Sequence, residues 1–404
     1  MDAPILAQVA LSYSPVIDRH RNVIATRLTV FPIVPGQWLP VAELLSTVGQ
    51  VWPADGPQVA LSVRSESVLA ELLSVLPSAN LMVEVPKFMA CDPVHADAIM
   101  TLAAAGNTLL LSGRPDHPLP KHMLGSFKYS IIDIADERRL TTSPPPPGVT
   151  RSIGFWQEGI TTQAEMEGAF GRGAVAVVGW PMGEPPSEVT AASLRRATAA
   201  AGRPDMQVVI ALINQVDDEA PLAELEATLK RDPNLAYKLM RYINSPIFGL
   251  RVEVSSFSHA VMLLGYQRLK RWLALALVTA GNDPNQRPLM YAAVRRGLIL
   301  EALGGESGDD AARSELFICG VFSLLDRMLQ MPFSRLLETI PVPDRVAQAL
   351  VAREGPHAVP LALARALEGG TVHDIRECAE QAMFDMRSVN RALLHALAGA
   401  TQLI

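Results

Sequence analysis

The chain has 404 residues, of which 49% are hydrophobic and 19% charged, and its formal net charge is −6. This composition excludes a largely disordered chain, which needs low hydrophobicity and high net charge, and the acidic balance argues against a nucleic-acid partner, since phosphate binding needs a basic footprint. The most apolar run, 272–281, is shorter than the roughly 20 residues of a spanning helix, so no membrane partner is expected. Cys91, Cys319 and Cys378 are far apart, which predicts no disulfide framework and a reducing, cytoplasmic location.

The first half of the chain alternates short apolar runs with segments of helical length. The predicted strands are 5–13, 23–31, 59–63, 81–85, 108–111, 129–134 and 174–179. The predicted helices between them include 41–51, 67–76 and 94–105. Continuous apolar runs indicate parallel strands buried on both faces. The alternation therefore predicts an α/β domain, and seven or eight such strands suit a barrel.

The second half has helical periodicity almost throughout. From Pro221 onward apolar residues recur at intervals of three and four, as in Leu222, Leu225 and Leu229. The pattern predicts an all-helical domain after a boundary near 183–186. A segment at 187–206 is interpreted as a connecting helix or linker. The four prolines at 144–147, inside the first half, predict a stiff extended loop.

Motifs that carry catalysis by themselves are missing from the sequence. It contains neither a Gly-x-Ser-x-Gly elbow nor a Gly-x-x-x-x-Gly-Lys-Ser/Thr phosphate loop. The eight histidines are scattered, whereas a metal site needs ligands at short spacing. The sequence therefore predicts no cofactor and no metal ion.

Four segments of the first half resemble the EAL domains, the cyclic di-GMP phosphodiesterase family. They are YSPVIDRHRNVIATRLTVF at 13–31, LMVEVPKF from Leu81, QEGITTQAEMEGAFGRG from Gln157 and VVGWPMGEP from Val177. Their order and spacing agree with the family over about the first 185 residues. The resemblance implies a (β/α)8-like barrel at 1–186.

The same resemblance indicates that several family ligands are replaced. Arg27 stands where the family has the Glu of Glu-Ala-Leu, and Arg64 where it has an asparagine. Ser112 and Gly113 stand at the Asp-Asp pair, Ile131 near the catalytic lysine and Val178 at the last glutamine.

Glu84 and Glu158 remain, with Asp133 on the strand before the proline loop. Two carboxylates beside a fixed cation do not suit a two-metal site. The resemblance therefore predicts a degenerate pocket without catalytic residues. Its arginines, Arg27 and Arg64, either grip the phosphates of a cyclic dinucleotide or pair with nearby carboxylates such as Glu84.

The stretch 231–272 resembles the HDOD domain, a helical relative of the HD phosphohydrolases. The matching positions include Asp232, Pro233, Arg241, Asn244, Ser245, Gly249, Ser256 and Gly265. Most of these residue types are typical of helix caps and turns, so a structural role is favoured over ligand binding. Ser323 and Leu324 stand where metal-dependent relatives have His-Asp, which predicts a helical domain at 207–404 without catalysis.

Together the two resemblances predict a non-enzymatic signalling scaffold of the EAL–HDOD type. Its expected partners are regulatory proteins, either cyclic di-GMP enzymes or components of a kinase–response-regulator system, and a homo-oligomer is possible. A metal-independent cyclic di-GMP receptor using Arg27, Arg64, Glu84 and Glu158 is the alternative. Lys270 and Arg271 belong to a basic stretch that either is a solvated helix face or contacts an acidic partner.

Overall fold

The structure, a computed structural model, describes residues 3–34, 36, 38–52, 56–78, 80–115, 119–136, 153–186, 204–243, 257–279, 283–305 and 309–400. The predicted proline loop at 144–147 and most of the linker at 187–206 lie outside these residues. The chain divides into two compact units. The first comprises Met1–Gly183 together with Ala362–Ile404, and the second comprises Glu184–Leu361.

The first unit is built on a closed barrel of eight strands in chain order. The strands are β1 (Val9–Asp18), β2 (Val23–Pro32), β3 (Gln58–Val63), β4 (Leu81–Pro86), β5 (Leu109–Ser112), β6 (Phe127–Asp133), β7 (Gly154–Ile160) and β8 (Ala176–Gly179). Strands β2 to β8 are parallel, and β1 runs antiparallel to both of its neighbours. The predicted barrel is therefore confirmed.

Two strands differ from the sequence prediction. The segment predicted at 5–13 begins as a 3-10 helix, Pro4–Ala7, because Pro4 fixes its φ angle in a helical range, and β1 follows it. Strand β7 was missed, because Gln157, Glu158 and Gly159 interrupt its apolar pattern. Its backbone is nevertheless paired with β6 and β8, which closes the barrel.

Helices alternate with the strands of the barrel. They are α1 (Val41–Val51), α2 (Glu66–Leu72), α3 (Lys87–Cys91), α4 (Ala96–Ala104), α5 (Lys121–Leu124) and α6 (Gln163–Gly171). Helix α6 begins with a capping box, in which Thr162 accepts from the Glu165 backbone and the Glu165 side chain accepts from the Thr162 backbone. This cap fixes the connection between β7 and α6.

The second unit is helical, as predicted. Its helices are α7 (Pro204–Asp217), α8 (Leu222–Leu229), α9 (Pro233–Ile243), α10 (Phe257–Thr279), α11 (Arg287–Leu303), α12 (Asp310–Phe322), α13 (Leu325–Leu329), α14 (Phe333–Leu336) and α15 (Asp344–Ala347). Helices α11 and α12 approach closely at Gly297 and Gly320, where a Cβ on Gly320 would lie 2.5 Å from the Arg296 backbone. Within the described part of the chain, no helix is both long and apolar enough to cross a membrane.

The chain enters the first unit again within α16 (Ala358–Ala366), and α17 (Val372–Gln381) and α18 (Met386–Ala400) follow. The backbone N–H of Tyr13 donates to the carbonyl of Leu367 at 2.8 Å, and Trp180 Nε1 donates to the carbonyl of Glu368 at 2.6 Å. Residues 362–400 thus pack with the barrel, although the sequence analysis assigned them to the helical domain at 207–404. Helical periodicity shows only that a segment has an apolar face, which is why it did not reveal what this segment packs against.

Candidate functional site

The interior of the barrel changes from apolar to polar along the strands. Buried apolar side chains form a cluster across it: Val16, Ala25, Ala60, Met82, Leu110, Ile131, Trp156, Ala176 and Val178. Side chains two positions apart on a strand point to the same face. The interior residues that follow the cluster toward the carboxyl ends of β2 to β7 are Arg27, Ser62, Glu84, Ser112, Asp133 and Glu158. A polar layer therefore lies above the apolar one, at the barrel mouth.

Arg27 is the central residue of this layer. Its Nε and Nη2 donate to the two carboxylate oxygens of Glu84, each at 2.7 Å, and its Nη1 donates to Glu158 Oε1. The side chains of Arg27 and Glu84 are buried, with 5% and 3% exposed, whereas Glu158 is 24% exposed. Charged groups are rarely buried unless they are paired, and here one guanidinium pairs with two carboxylates from two strands.

The protonation of Arg27 follows from these contacts. Burial alone would lower its pKa, because a low-dielectric interior disfavours the charged form. The negative charges of Glu84 and Glu158 and their hydrogen bonds outweigh burial, so the pKa of Arg27 is raised above its usual value. Arg27 is therefore a permanent cation at the barrel mouth.

Arg64 lies at the outer side of the same group. Its Nη2 is 3.8 Å from Glu158 Oε1, and its side chain is 48% exposed. The structure thus brings together all four residues that the sequence analysis named as a degenerate pocket. The pairing of Arg27 with Glu84 was one of the predicted alternatives, whereas its contact with Glu158 was not predicted, since it depends on β7, a strand that the sequence pattern did not reveal.

The metal ions implied by the EAL resemblance do not fit the residues present. The guanidinium of Arg27 lies between Glu84 and Glu158 and takes up the carboxylate oxygens that a divalent cation would need. In the part of the chain that the structure describes, no group of three or more His, Cys, Asp or Glu residues could hold a metal ion. No chemical step through a metal is derived for this site.

In the second unit, Asp232, Pro233 and Gly265 of the 231–272 signature lie where a helix begins or is interrupted. Asp232 Oδ1 accepts from the backbone N–H groups of Asn234 and Leu235 at 3.0 and 3.1 Å, and Pro233 begins α9. Gly265 has φ 69° and interrupts the helical backbone within α10, which agrees with the cap or turn role expected of it. Arg241 lies in α9. Asn244, Ser245, Gly249 and Ser256 lie outside the described residues.

Ser323, at the position of the His-Asp pair of metal-dependent relatives, also has a structural contact. Its hydroxyl accepts from Arg296 Nη1 at 2.9 Å and donates to the carbonyl of Gly320 at 2.7 Å. Ser323 and Arg296 are both buried. This contact ties the end of α12 to α11.

The two residues of the predicted partner surface are paired within the second unit. Lys270 forms an ion pair with Asp217, and Arg271 forms one with Glu301. The Arg271 guanidinium also lies 4.2 Å from the centre of the Phe317 ring. An acidic partner would have to compete with these contacts, and the partner surface stays a prediction.

A family model connects the helical unit with known proteins. The HDOD domain model matches residues 204–331. This segment is an HDOD domain. The predicted HDOD domain in the helical half is confirmed, and the eight-stranded barrel that the EAL resemblance implied is present before it.

Curated relatives match about half of the chain. A protein of Vibrio cholerae named cyclic di-GMP phosphodiesterase CdgJ is 27% identical over 194 residues, 48% of this chain and 45% of that protein. The uncharacterized protein YuxH of Bacillus subtilis is 25% identical over 190 residues, 46% of each chain. The chain thus spans about half the length of the curated relatives it matches.

Solved structures are similar to the chain at low identity. The PaMucR phosphodiesterase in its c-di-GMP complex is 21% identical, covers 46% of this chain and 99% of its own, and has a TM-score of 0.31. The FimX EAL domain from Pseudomonas aeruginosa bound to c-di-GMP is 11% identical, covers 44% and 90%, and has a TM-score of 0.27.

The prediction that the chain is not an enzyme is corrected by the curated comparison. CdgJ, which matches nearly half of the HDOD-containing chain, is named a cyclic di-GMP phosphodiesterase. The prediction rested on residues carried over from a family pattern. Replacements at such positions describe a change of side chains, and they do not show that turnover is lost.

Proposed function

We propose that this protein regulates cyclic di-GMP signalling through protein–protein interactions. The link to cyclic di-GMP signalling is supported by the HDOD domain and by the curated relative. The proposed partners are cyclic di-GMP enzymes or kinase–response-regulator components in the same bacterial cell. A cytoplasmic location belongs to the proposal, in keeping with three cysteines that form no disulfide bond.

One observation carries this proposal. The HDOD domain, 204–331, lies in the chain between β8 and the C-terminal helices α17 and α18, which pack with the barrel. A protein bound to the HDOD domain is therefore connected to the barrel unit by two chain segments. This chain order suits a protein that relates a binding event on one unit to the state of the other.

The test adds the whole chain to a purified cyclic di-GMP enzyme from the same bacterium. The expected result is a change in that enzyme's turnover, at least twofold, which is reduced by the double substitution Lys270→Glu and Arg271→Glu. The control variant is Arg376→Glu, on α17 outside the HDOD domain. If the turnover of none of the cyclic di-GMP enzymes of this bacterium changes when the chain is added, the proposed regulation of these enzymes is rejected.

The same assay without the second enzyme measures the chain's own hydrolysis of cyclic di-GMP with Mg²⁺ or Mn²⁺. Turnover there would assign to this chain the activity that the relative's name describes.

A second candidate function is a metal-independent cyclic di-GMP receptor. It is favoured by the convergence of Arg27, Arg64, Glu84 and Glu158 at the barrel mouth. Arg64 is the residue to test, because it is half exposed and its removal leaves the buried pair of Arg27 and Glu84 intact. Isothermal titration with cyclic di-GMP is expected to give micromolar binding that Arg64→Ala weakens at least tenfold. The control is Lys128→Ala, an exposed cation near the start of β6.

A further inference from the structure

Two guanidinium groups face a single carboxylate oxygen at the barrel mouth. Arg27 Nη1 donates to Glu158 Oε1, and Arg64 Nη2 lies 3.8 Å from the same atom. Arginine is the side chain best suited to hold phosphate oxygens, because its planar fork offers several donors and a permanent charge. The anion between these two arginines is a carboxylate of the protein itself.

The two glutamates that contact Arg27 are not equivalent. Glu84 is buried and accepts from Nε and Nη2 with both of its oxygens, which fixes the guanidinium in place. Glu158 accepts from Nη1 with one oxygen and is partly exposed. If the Glu158 carboxylate leaves, Arg27 keeps its buried counter-ion and its position, whereas Nη1 becomes available to another acceptor.

The backbone of β7 is irregular directly after Glu158. The pairing of β7 with β8 shifts register between Glu158 and Ile160, and Gly159 between them has φ 82°. Irregularities of this kind in a strand are frequent beside binding sites. The positive φ angle of Gly159 favours glycine, and a Cβ there would also make a tight contact of 3.1 Å with Ile134 Cγ2.

We propose that Glu158 is a built-in competitor in an oxyanion site, so that a phosphate-bearing ligand binds by displacing its carboxylate from Arg27 and Arg64. The ligand class is a phosphate mono- or diester whose oxygens take the place of Glu158 Oε1. This inference deepens the receptor function proposed above and rests on the same four residues. Its distinct claim is that Glu158 opposes binding, whereas Arg27 and Arg64 support it.

The test is isothermal titration of the full chain with two probes, inorganic phosphate and cyclic di-GMP. The variants are Glu158→Gln, Glu158→Ala and the double variant Glu158→Gln with Arg64→Ala. The matched control is Glu167→Gln, a more exposed glutamate that pairs with Arg21 elsewhere on the barrel unit. Thermal unfolding verifies that each variant is folded.

We expect at least one of the two single variants, Glu158→Gln and Glu158→Ala, to bind inorganic phosphate or cyclic di-GMP at least tenfold more tightly than the natural chain. The double variant is expected to lose this gain. Two variants are used because an amide at 158 can still accept from Arg27. Folded Glu158 variants that bind no more tightly than the natural chain would overturn the inference, as would a gain that survives the loss of Arg64.

The outcomes also separate the inference from the receptor function. A gain for inorganic phosphate with no binding of cyclic di-GMP in any variant would support the oxyanion site and reject the receptor. Cyclic di-GMP binding that is present in the natural chain and lost in both Glu158 variants would support the receptor and overturn the inference, since Glu158 would then be a ligand contact.

Discussion

Asn390, on the last helix, accepts a hydrogen bond with its Oδ1 from the backbone N–H of Leu11, 379 residues earlier in the chain, at 3.1 Å. Its Nδ2 donates to the carbonyls of Leu6 and Val9 at 2.8 and 2.6 Å. The side chain is fully buried. One amide thus satisfies three backbone groups in the 3-10 helix Pro4–Ala7 and at the start of β1, and it fastens α18 to the barrel unit.

The substitution Asn390→Ala is expected to destabilise the protein by about 2–4 kcal/mol, because it leaves buried backbone groups without their hydrogen-bond partner. Urea unfolding followed by circular dichroism measures the loss. The control is Arg391→Ala, the next residue on α18, whose side chain is exposed and whose removal is expected to change stability by less than about 0.5 kcal/mol. Equal stability of the two variants would show that the amide does not fasten the helix.

This contact also shows where sequence reasoning ends. The barrel could be predicted, because parallel strands buried on both faces leave continuous apolar runs and the helices between them leave a period of 3.6 residues. The packing of 362–400 with the barrel could not be predicted, because a hydrogen bond across 379 residues leaves no local pattern. An asparagine within an amphipathic helix gives no sign that it is buried.

The residues of the candidate site could be predicted from the sequence, but their arrangement could not. Arg27, Arg64, Glu84 and Glu158 could be named from the EAL resemblance, and the structure places them together. The arrangement itself depends on β7, whose apolar pattern is interrupted by Gln157, Glu158 and Gly159 in succession. Strands β2 and β4 each place a single charged residue, Arg27 or Glu84, within a longer apolar run, and they could therefore be recognised.

Two glycines within helices are expected to respond in opposite ways to substitution by alanine. Gly320→Ala is expected to destabilise the protein by about 2–3 kcal/mol, because its Cβ would lie 2.5 Å from the backbone of Arg296 and Gly297. Gly49→Ala, within α1, meets no atom within 4 Å and is expected to stabilise by about 0.5–1 kcal/mol, since alanine is the better helix former. Thermal unfolding of both variants measures the two signs, and equal signs would contradict the prediction.

Removing the cation of the barrel mouth is expected to leave a buried, unpaired charge. Arg27→Met should destabilise the protein by about 3–5 kcal/mol at neutral pH, since Glu84 loses both of its hydrogen bonds inside the barrel. The double variant Arg27→Met with Glu84→Gln should recover part of this loss, because no charge is then buried. A double variant no more stable than the single one would indicate that packing, not charge, dominates.

Asp385, at the start of α18, makes that helix sensitive to acid. The backbone N–H of Ser388 donates to its carboxylate at 2.9 Å and the Ser388 hydroxyl at 3.0 Å, and with the charge of Arg387 they lower the pKa of Asp385. An acid with a lowered folded-state pKa stabilises the fold above its unfolded value, near 3.9, and the stabilisation is lost as the pH falls through the folded-state pKa. Asp385→Ala should therefore cost about 1 kcal/mol at pH 7 and progressively less as the pH falls below that value. Unfolding curves of the natural chain, of Asp385→Ala and of the control Glu377→Ala are measured at pH 7 and pH 2.5. The difference in stability between Asp385→Ala and the natural chain is expected to shrink at the lower pH. A difference that persists undiminished there would show that the charge of Asp385 does not hold the helix end.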